Sequence, residues 1–136
     1  MAGYSQTPLV KKLGLRPGMR LQVIGASLDY AAIVEDLPVG LQWVGDEQTA
    51  LDFIHLFASS RAELEEALPR LVPRLAKTGV LWISWPKKSS GLLADLDENI
   101  IRENGLNNGM VDVKVCAVSQ QWSGLKFVFR LKDRQT

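Results

Sequence analysis

The sequence has a single cysteine, Cys116, and a single histidine, His55. An internal disulfide is therefore excluded, and a Cys/His zinc site would lack ligands. Long apolar runs are missing too. No stretch approaches the roughly 18 apolar residues of a membrane helix, and residues 1–13 lack the apolar region of a secretory signal. A reducing, cytoplasmic setting is the resulting expectation. Charge of one sign is also missing, since 16 Lys and Arg face 15 Asp and Glu for a formal net charge of +1. The chain as a whole carries no footprint of a specific nucleic-acid or acidic-membrane binder. With 46% hydrophobic and 23% charged residues, the composition is that of an ordinary globular protein. The 136 residues suit one domain, with residues 1–16 as an N-terminal arm and 132–136 as a polar tail.

What is present is an alternation of strand and helix signals. Residues 20–25 (RLQVIG) form a short apolar run closed by glycine. Ser27 offers a cap for a helix over 26–36, which Pro38 stops. A second strand is expected at 41–44 and a third, nearly all apolar, at 51–57. The gap between them is too short for a helix. Ser60 and Glu63 make a capping box for a helix running to about residue 76, where Pro69 and Pro73 predict a kink or two consecutive short helices. A fourth strand is expected at 80–85, then a helix over 95–105 capped by Asp95 with Glu98. Residues 110–118 and 124–131 both alternate, and the short joint between them predicts an antiparallel hairpin. Its register would align Lys114, Lys126 and Arg130 with Asp112 on one side. The expected architecture is α/β, three layers built on a mostly parallel sheet of about six strands with an antiparallel C-terminal hairpin.

Two resemblances follow from particular segments. Residues 13–25 (LGLRPGMRLQVIG) resemble the entry to the class I S-adenosylmethionine methyltransferases, and 68–84 (LPRLVPRLAKTGVLWIS) resemble that family's helix, turn and fifth strand. The likeness implies a Rossmann-like fold. The chain resembles more closely a bacterial family of small proteins of unknown function, through GYSQTPL with KKLG near the start, WPKKSSG at 85–91, VKVCA at 113–117 and WSGLKFV at 122–128. The methyltransferase pattern is shortened here. Only Gly25 remains of a glycine-rich loop, and residues 45–50 cannot hold the strand and helix that line the adenine pocket in that family. Asp46 and Glu47 stand near where an acid would meet ribose hydroxyls; as residues alone they read as a turn.

In an open parallel sheet, ligands bind outside the carboxyl ends of the strands. The loops expected there carry Gly25 and Ser27, Ser60, Lys87, Lys88 and Ser89, and Trp122 with Ser123. Ser27 and Ser60 begin helices whose free amides favour an anion, two lysines add charge, and Trp85 and Trp122 would be flat walls. The expected ligand-binding set is therefore Gly25, Ser27, Lys87, Lys88, Ser89, Trp122 and Ser123. His55 reads as a satisfied core histidine and Cys116 as an inert, partly buried thiol. No catalytic residue, metal or cofactor is called for by these residues. The expectation is a non-catalytic domain binding a small anionic ligand or a protein partner. The alternative is an S-adenosylmethionine-dependent methyltransferase with a reduced cofactor site, its cofactor held through Gly25, Asp46 and the loop after the third strand. A third reading is an interaction module using the basic face of the hairpin.

Overall fold

The computed structural model of the chain describes residues 7–25, 29–91 and 94–134. Six strands form one sheet: β1 (Arg20–Ile24), β2 (Gln42–Trp43), β3 (Leu51–Phe57), β4 (Leu75–Pro86), β5 (Met110–Ala117) and β6 (Trp122–Phe129), in the order β2-β1-β3-β4-β6-β5. The first four run parallel, and β6 enters antiparallel between β4 and β5. On one face lie α3 (Arg61–Leu71) and α4 (Glu98–Asn107). They bury Leu64, Leu68, Leu71 and Ile101 against Ile54, Leu81, Ile83 and Phe127. The other face is covered thinly, by α1 (Leu9–Leu13) and α2 (Tyr30–Val34), over Leu21, Phe53, Phe57 and Trp82. A last short helix, α5, spans Leu131–Arg134.

Several expectations shift. The supposed arm holds α1, whose Leu13 is buried and accepts a 3.0 Å hydrogen bond from the Trp82 indole through its carbonyl. Gly14 ends α1 at φ +81, with its amide bonded to the carbonyls of Lys11 and Val10; the glycine is a helix terminator. The second helix is shorter than 26–36. Asp29 caps it by accepting from the amides of Ala31 and Ala32, and Glu35 and Asp36 leave it at φ 58 and 50. Ser27 lies outside the described residues. Asp97, not Asp95, caps α4, accepting from Ile100 at 2.9 Å. The α3 region does break in two, with Pro73 in a 3-10 turn at Val72–Arg74. β6 stops at Phe129, and Leu131 is exposed in α5.

The hairpin register contains a bulge between Asp112 and Lys114. Two residues of β5 there oppose one step of β6, so the side chains beyond the bulge change faces. Lys114 pairs with Lys126 on the thinly covered face, while Asp112 bonds Arg102 of α4 at 2.9 Å on the other. The expected alignment of Asp112 with the basic residues is thereby broken.

Parallel strands usually need a dozen or more residues between them, yet only residues 44–50 join β2 to β3. Because β2 is two residues long, the chain has little height to recover before β3 starts. Ala50 turns at φ 59, a left-handed conformation unfavourable for a residue with a Cβ. The turn is held from outside. Buried Arg74 donates through Nε to the Gln48 carbonyl at 2.8 Å and through Nη2 to the Gly45 carbonyl at 2.7 Å, and Arg20 donates to the Thr49 carbonyl at 3.1 Å.

A second polar device sits inside the core. His55 is fully buried; its Nδ1 is 2.7 Å from the Tyr30 hydroxyl and its Nε2 is 2.7 Å from the Ser84 hydroxyl. The chain joins α2, β3 and β4, and the imidazole stacks on Phe57 at 4.3 Å. Burial pushes the imidazole pKa down to about 3 and the Tyr30 phenol far above its ordinary value, so both groups are neutral in the folded protein.

Two predictions follow from these contacts. A histidine kept neutral by folding takes a proton more readily in the unfolded chain, so stability is full above the unfolded value near 6.5 and falls as pH drops toward 3. Each pH unit lost in that window should cost up to about 1.4 kcal/mol. Urea titrations between pH 7 and 5, above the range of ordinary carboxylates, should show this slope, and His55→Gln should flatten it; an unchanged slope would contradict the neutral buried ring. For Arg74→Ala, loss of two charge-assisted hydrogen bonds to carbonyls should destabilise by about 2–4 kcal/mol. A midpoint in urea equal to that of the parent would show that the turn is held by something else.

Candidate functional site

The strand order reverses at β1, which has β2 on one side and β3 on the other. Such a switch point opens a crevice at the carboxyl ends of the strands, because the chain leaves neighbouring strands in opposite directions. Here Gly25 follows β1 at φ +82, and a Cβ at that position would stand 2.3 Å from the Phe57 carbonyl oxygen. Only glycine permits β1 and β3 to approach this closely while turning. Beside it lies a cleft of about 140 Å³ between Ile24, Gly25, Leu56 and Phe57. Ala67 of α3 closes its far side, and Glu63, Glu66 and Arg70 stand at its mouth.

The mouth is acidic. Arg70 pairs with Glu66 at 3.2 Å, leaving the Glu63 carboxylate, which accepts from the Ser59 amide at 3.2 Å. Nearby on β1, the Gln22 side-chain amide donates to Asp46 of the short turn, while Gln22 Oε1 is buried with no partner among the described residues. A buried acceptor without a donor costs free energy unless something fills it. Asp46 is exposed in the first part of the connection that leaves β2.

The residues expected to gather around an anion are spread differently. Lys87 is half-buried, its amide donating to the Gln121 carbonyl at 2.8 Å, and Lys88 and Ser89 are exposed on a 3-10 turn (Lys88–Ser90). Ser123 is half-buried and pairs with Trp85, and Trp122 pairs with Pro86, so these two do adjoin the Lys87 loop. Both tryptophans are 7% exposed. Trp122 meets Phe57 edge-on at 5.1 Å and Trp85 lies in the core under α3 and α4, so they pack the interior instead of walling a pocket. Gly25 is separated from this loop by β3, and its cleft opens toward α3. Ser27 again falls outside the described residues.

The start of α3, expected to attract an anion, already holds its own acids. Ser60 accepts from the Glu63 amide at 3.1 Å, and Asp95 accepts from the Arg61 amide at 2.7 Å. An incoming anion would meet the Asp95 charge. Cys116 is half-buried; burial pushes its thiol pKa up, countered in part by Lys12, Lys114 and Lys87. Among the described residues no cluster of potential ligands could hold a metal ion, and no helix is long and apolar enough to cross a membrane.

Sequence reasoning passed over Gln22 and the acidic mouth of the cleft. Gln22 could have been noticed as a polar residue inside an apolar strand. Glu63 and Glu66 have the spacing of an exposed helix face, and only the packing of α3 against β1 and β3 brings them to the cleft.

No protein-family model matches the chain, and no curated protein matches its sequence. Solved structures do match it in fold. The chain is similar to a TehB-like SAM-dependent methyltransferase from Corynebacterium glutamicum, at 13% identity and TM-score 0.57, over 95% of this chain and 91% of that one. It is similar to a SAM-dependent methyltransferase from Aquifex aeolicus at 14% identity and TM-score 0.58, over 87% and 86% of the two chains. It is also similar to the magnesium protoporphyrin IX methyltransferase of Synechocystis, solved with bound SAH, at 12% identity and TM-score 0.51, over 90% and 78%. At such identities the likeness concerns the fold. The chain has a Rossmann-like, methyltransferase-like α/β fold with a mixed sheet of six strands and an antiparallel C-terminal hairpin.

Proposed function

We propose that the chain binds an S-adenosylmethionine-type cofactor at the switch point beside Gly25 and serves methyl transfer with a reduced site. The observation that carries this reading is the cleft between Ile24, Gly25, Leu56 and Phe57, where the order of the parallel strands reverses. Its 140 Å³ is below the roughly 300–1,000 Å³ of sites that enclose a whole drug-sized ligand, which fits a site gripping one ring of a nucleoside and leaving the rest at the surface.

The residues present suit such a group. Gly25 lines the cleft with bare backbone, Gln22 Oε1 is an acceptor awaiting a donor, and the Asp46 carboxylate can accept from ribose hydroxyls. Glu63 and Glu66 favour a cation over an anion at the mouth. When bound, the cofactor supplies an electrophilic methyl group on a sulfonium, so the protein's part is to bind, orient and exclude water. Ile24 and Leu56 provide the apolar surface for that exclusion, and Gln22 with Asp46 would fix the nucleoside's orientation. The structural neighbours favour this reading over the non-catalytic one, since two of the three described are named as SAM-dependent and the third holds SAH.

A second reading, a small anionic ligand or protein partner at Lys87, Lys88, Ser89 and Ser123, has one observation behind it. Ser123 pairs with Trp85 and Trp122 with Pro86, which brings Ser123 beside the loop of Lys87 and Lys88.

Calorimetry and thermal melting separate the two. S-adenosylmethionine and S-adenosylhomocysteine should stabilise the chain by about 2.7 kcal/mol at a hundredfold excess over Kd. Asp46→Asn and Gln22→Leu should each weaken binding about tenfold, the loss of one hydrogen bond to a polar partner. Lys87→Ala with Lys88→Ala should leave it unchanged. No heat and no shift at millimolar cofactor would refute the nucleoside site, and stabilisation by inorganic phosphate, lost in the lysine variant, would support the second reading instead.

A further inference from the structure

Away from the carboxyl edge, α1 and the loop after it border a half-open pocket of about 470 Å³ on the thinly covered face of the sheet. Lys11, Arg16 and Lys126 line it, with one acid, Asp52, whose carboxylate already accepts from the Arg20 amide at 2.9 Å. Its remaining walls include Leu13, Leu15, Met19 and Val80. Lys114 is the register partner of Lys126 on the same face, brought there by the bulge in β5, and its ammonium donates to the Lys12 carbonyl at 3.2 Å. Among the described residues, none of Lys11, Arg16, Lys114 and Lys126 meets a carboxylate within ion-pair distance. Burial first, then the charges of Lys114 and Arg16, hold the Lys126 ammonium below the usual lysine range.

Folding has therefore drawn Lys11 and Arg16, from α1 and the loop after it, and Lys126, from β6, around one concavity whose lining holds a single acid, Asp52, with Lys114 beside it. Such an arrangement repels itself unless an anion joins it. The geometry points to a second binding site, for an organic anion with a phosphate or carboxylate head and a short apolar body: the head lies among Arg16, Lys126 and Lys11, and the body lies on Leu15, Met19 and Val80. The volume suits a small molecule, being within the roughly 300–1,000 Å³ of ordinary ligand pockets. A nucleic acid backbone fits less well, since it would call for an extended basic stripe on an exposed surface, whereas these cations surround an apolar hollow. The site is independent of the cleft at Gly25. It stands at the other end of β1, below the Arg20 end of that strand.

Calorimetry on the full chain with octyl phosphate, octanoate, inorganic phosphate and octyl glucoside tests the assignment. Octyl phosphate should bind about tenfold or more tighter than inorganic phosphate, and octyl glucoside, which lacks the charge, should not bind measurably. Octanoate binding as well as octyl phosphate would place the charge alone in the recognition; a large preference between them would name the head group. The double variant Arg16→Gln, Lys126→Gln should lose affinity about tenfold or more. Without ligand it should melt no lower than the parent, because it relieves like-charge repulsion; this separates lost binding from lost folding. Asp46→Asn should bind octyl phosphate normally, keeping this site's failure distinct from failure of the nucleoside site. Equal binding of octyl glucoside, undiminished affinity in the double variant, or displacement of octyl phosphate by a single-stranded oligonucleotide would overturn the proposal.

Discussion

The guanidinium of Arg74 holds a turn whose carbonyls would otherwise lie stranded against the core, and the carboxyl edge takes its form from that contact. In a regular crossover, a helix between β2 and β3 would satisfy its own backbone groups and roof the α3 side of β1. Here seven residues make the connection, and Arg74 and Arg20 take up the carbonyls of Gly45, Gln48 and Thr49 from outside. The two Arg74 bonds are partly buried, which is where hydrogen bonds matter most to a fold, and the Arg20 bond stands at the surface. With no roof, Gln22 and Ile24 of β1 face the space beside α3, and the cleft at Gly25 remains accessible. The shortened connection and the candidate site are thus one structural fact seen from two sides.

Much of the fold could be read from local signals. The unbroken apolar run of β3 and the capping serine of α3 place those elements where the structure has them, and Pro73 marks the break after α3, although the helical region ends at Arg74, where β4 takes over, and not near residue 76. Elements decided by tertiary contacts could not be read this way. α1 has five residues, two of them lysines, and exists because Leu13 can insert beneath Trp82. Asp95 and Asp97 each stand before an apolar helical stretch, and the choice between them was settled by the Arg61 amide, which claims Asp95 from across the sheet surface. The bulge in β5 interrupts no pattern, because Val111, Val113 and Val115 alternate as well in a regular strand.

The candidate site divides along the same line. Gly25 was visible, because a glycine closing the first strand of an α/β pattern has a definite role. Its companions were not. The loop of Lys87 lies beyond β3, and the acids at the mouth of the cleft come from the first turn and the middle of α3. The hydrogen-bonded chain of Tyr30, His55 and Ser84 lies within the carboxyl half of the sheet and ties α2 to β3 and β4 there. It gives the edge a rigid interior without exposing a reactive group, consistent with a site whose task is to hold a ligand.

The irregularity in β5 has a further consequence for the sheet's outer boundary. A straight terminal strand displays evenly spaced amides and carbonyls, a template onto which another chain can add. With Val113 displaced and two lysines opposed at the next step, this border offers an interrupted, positively charged row while still exposing Val113 and Val115. The same kink that carries Lys114 toward the basic hollow under α1 therefore also discourages uncontrolled growth of the sheet.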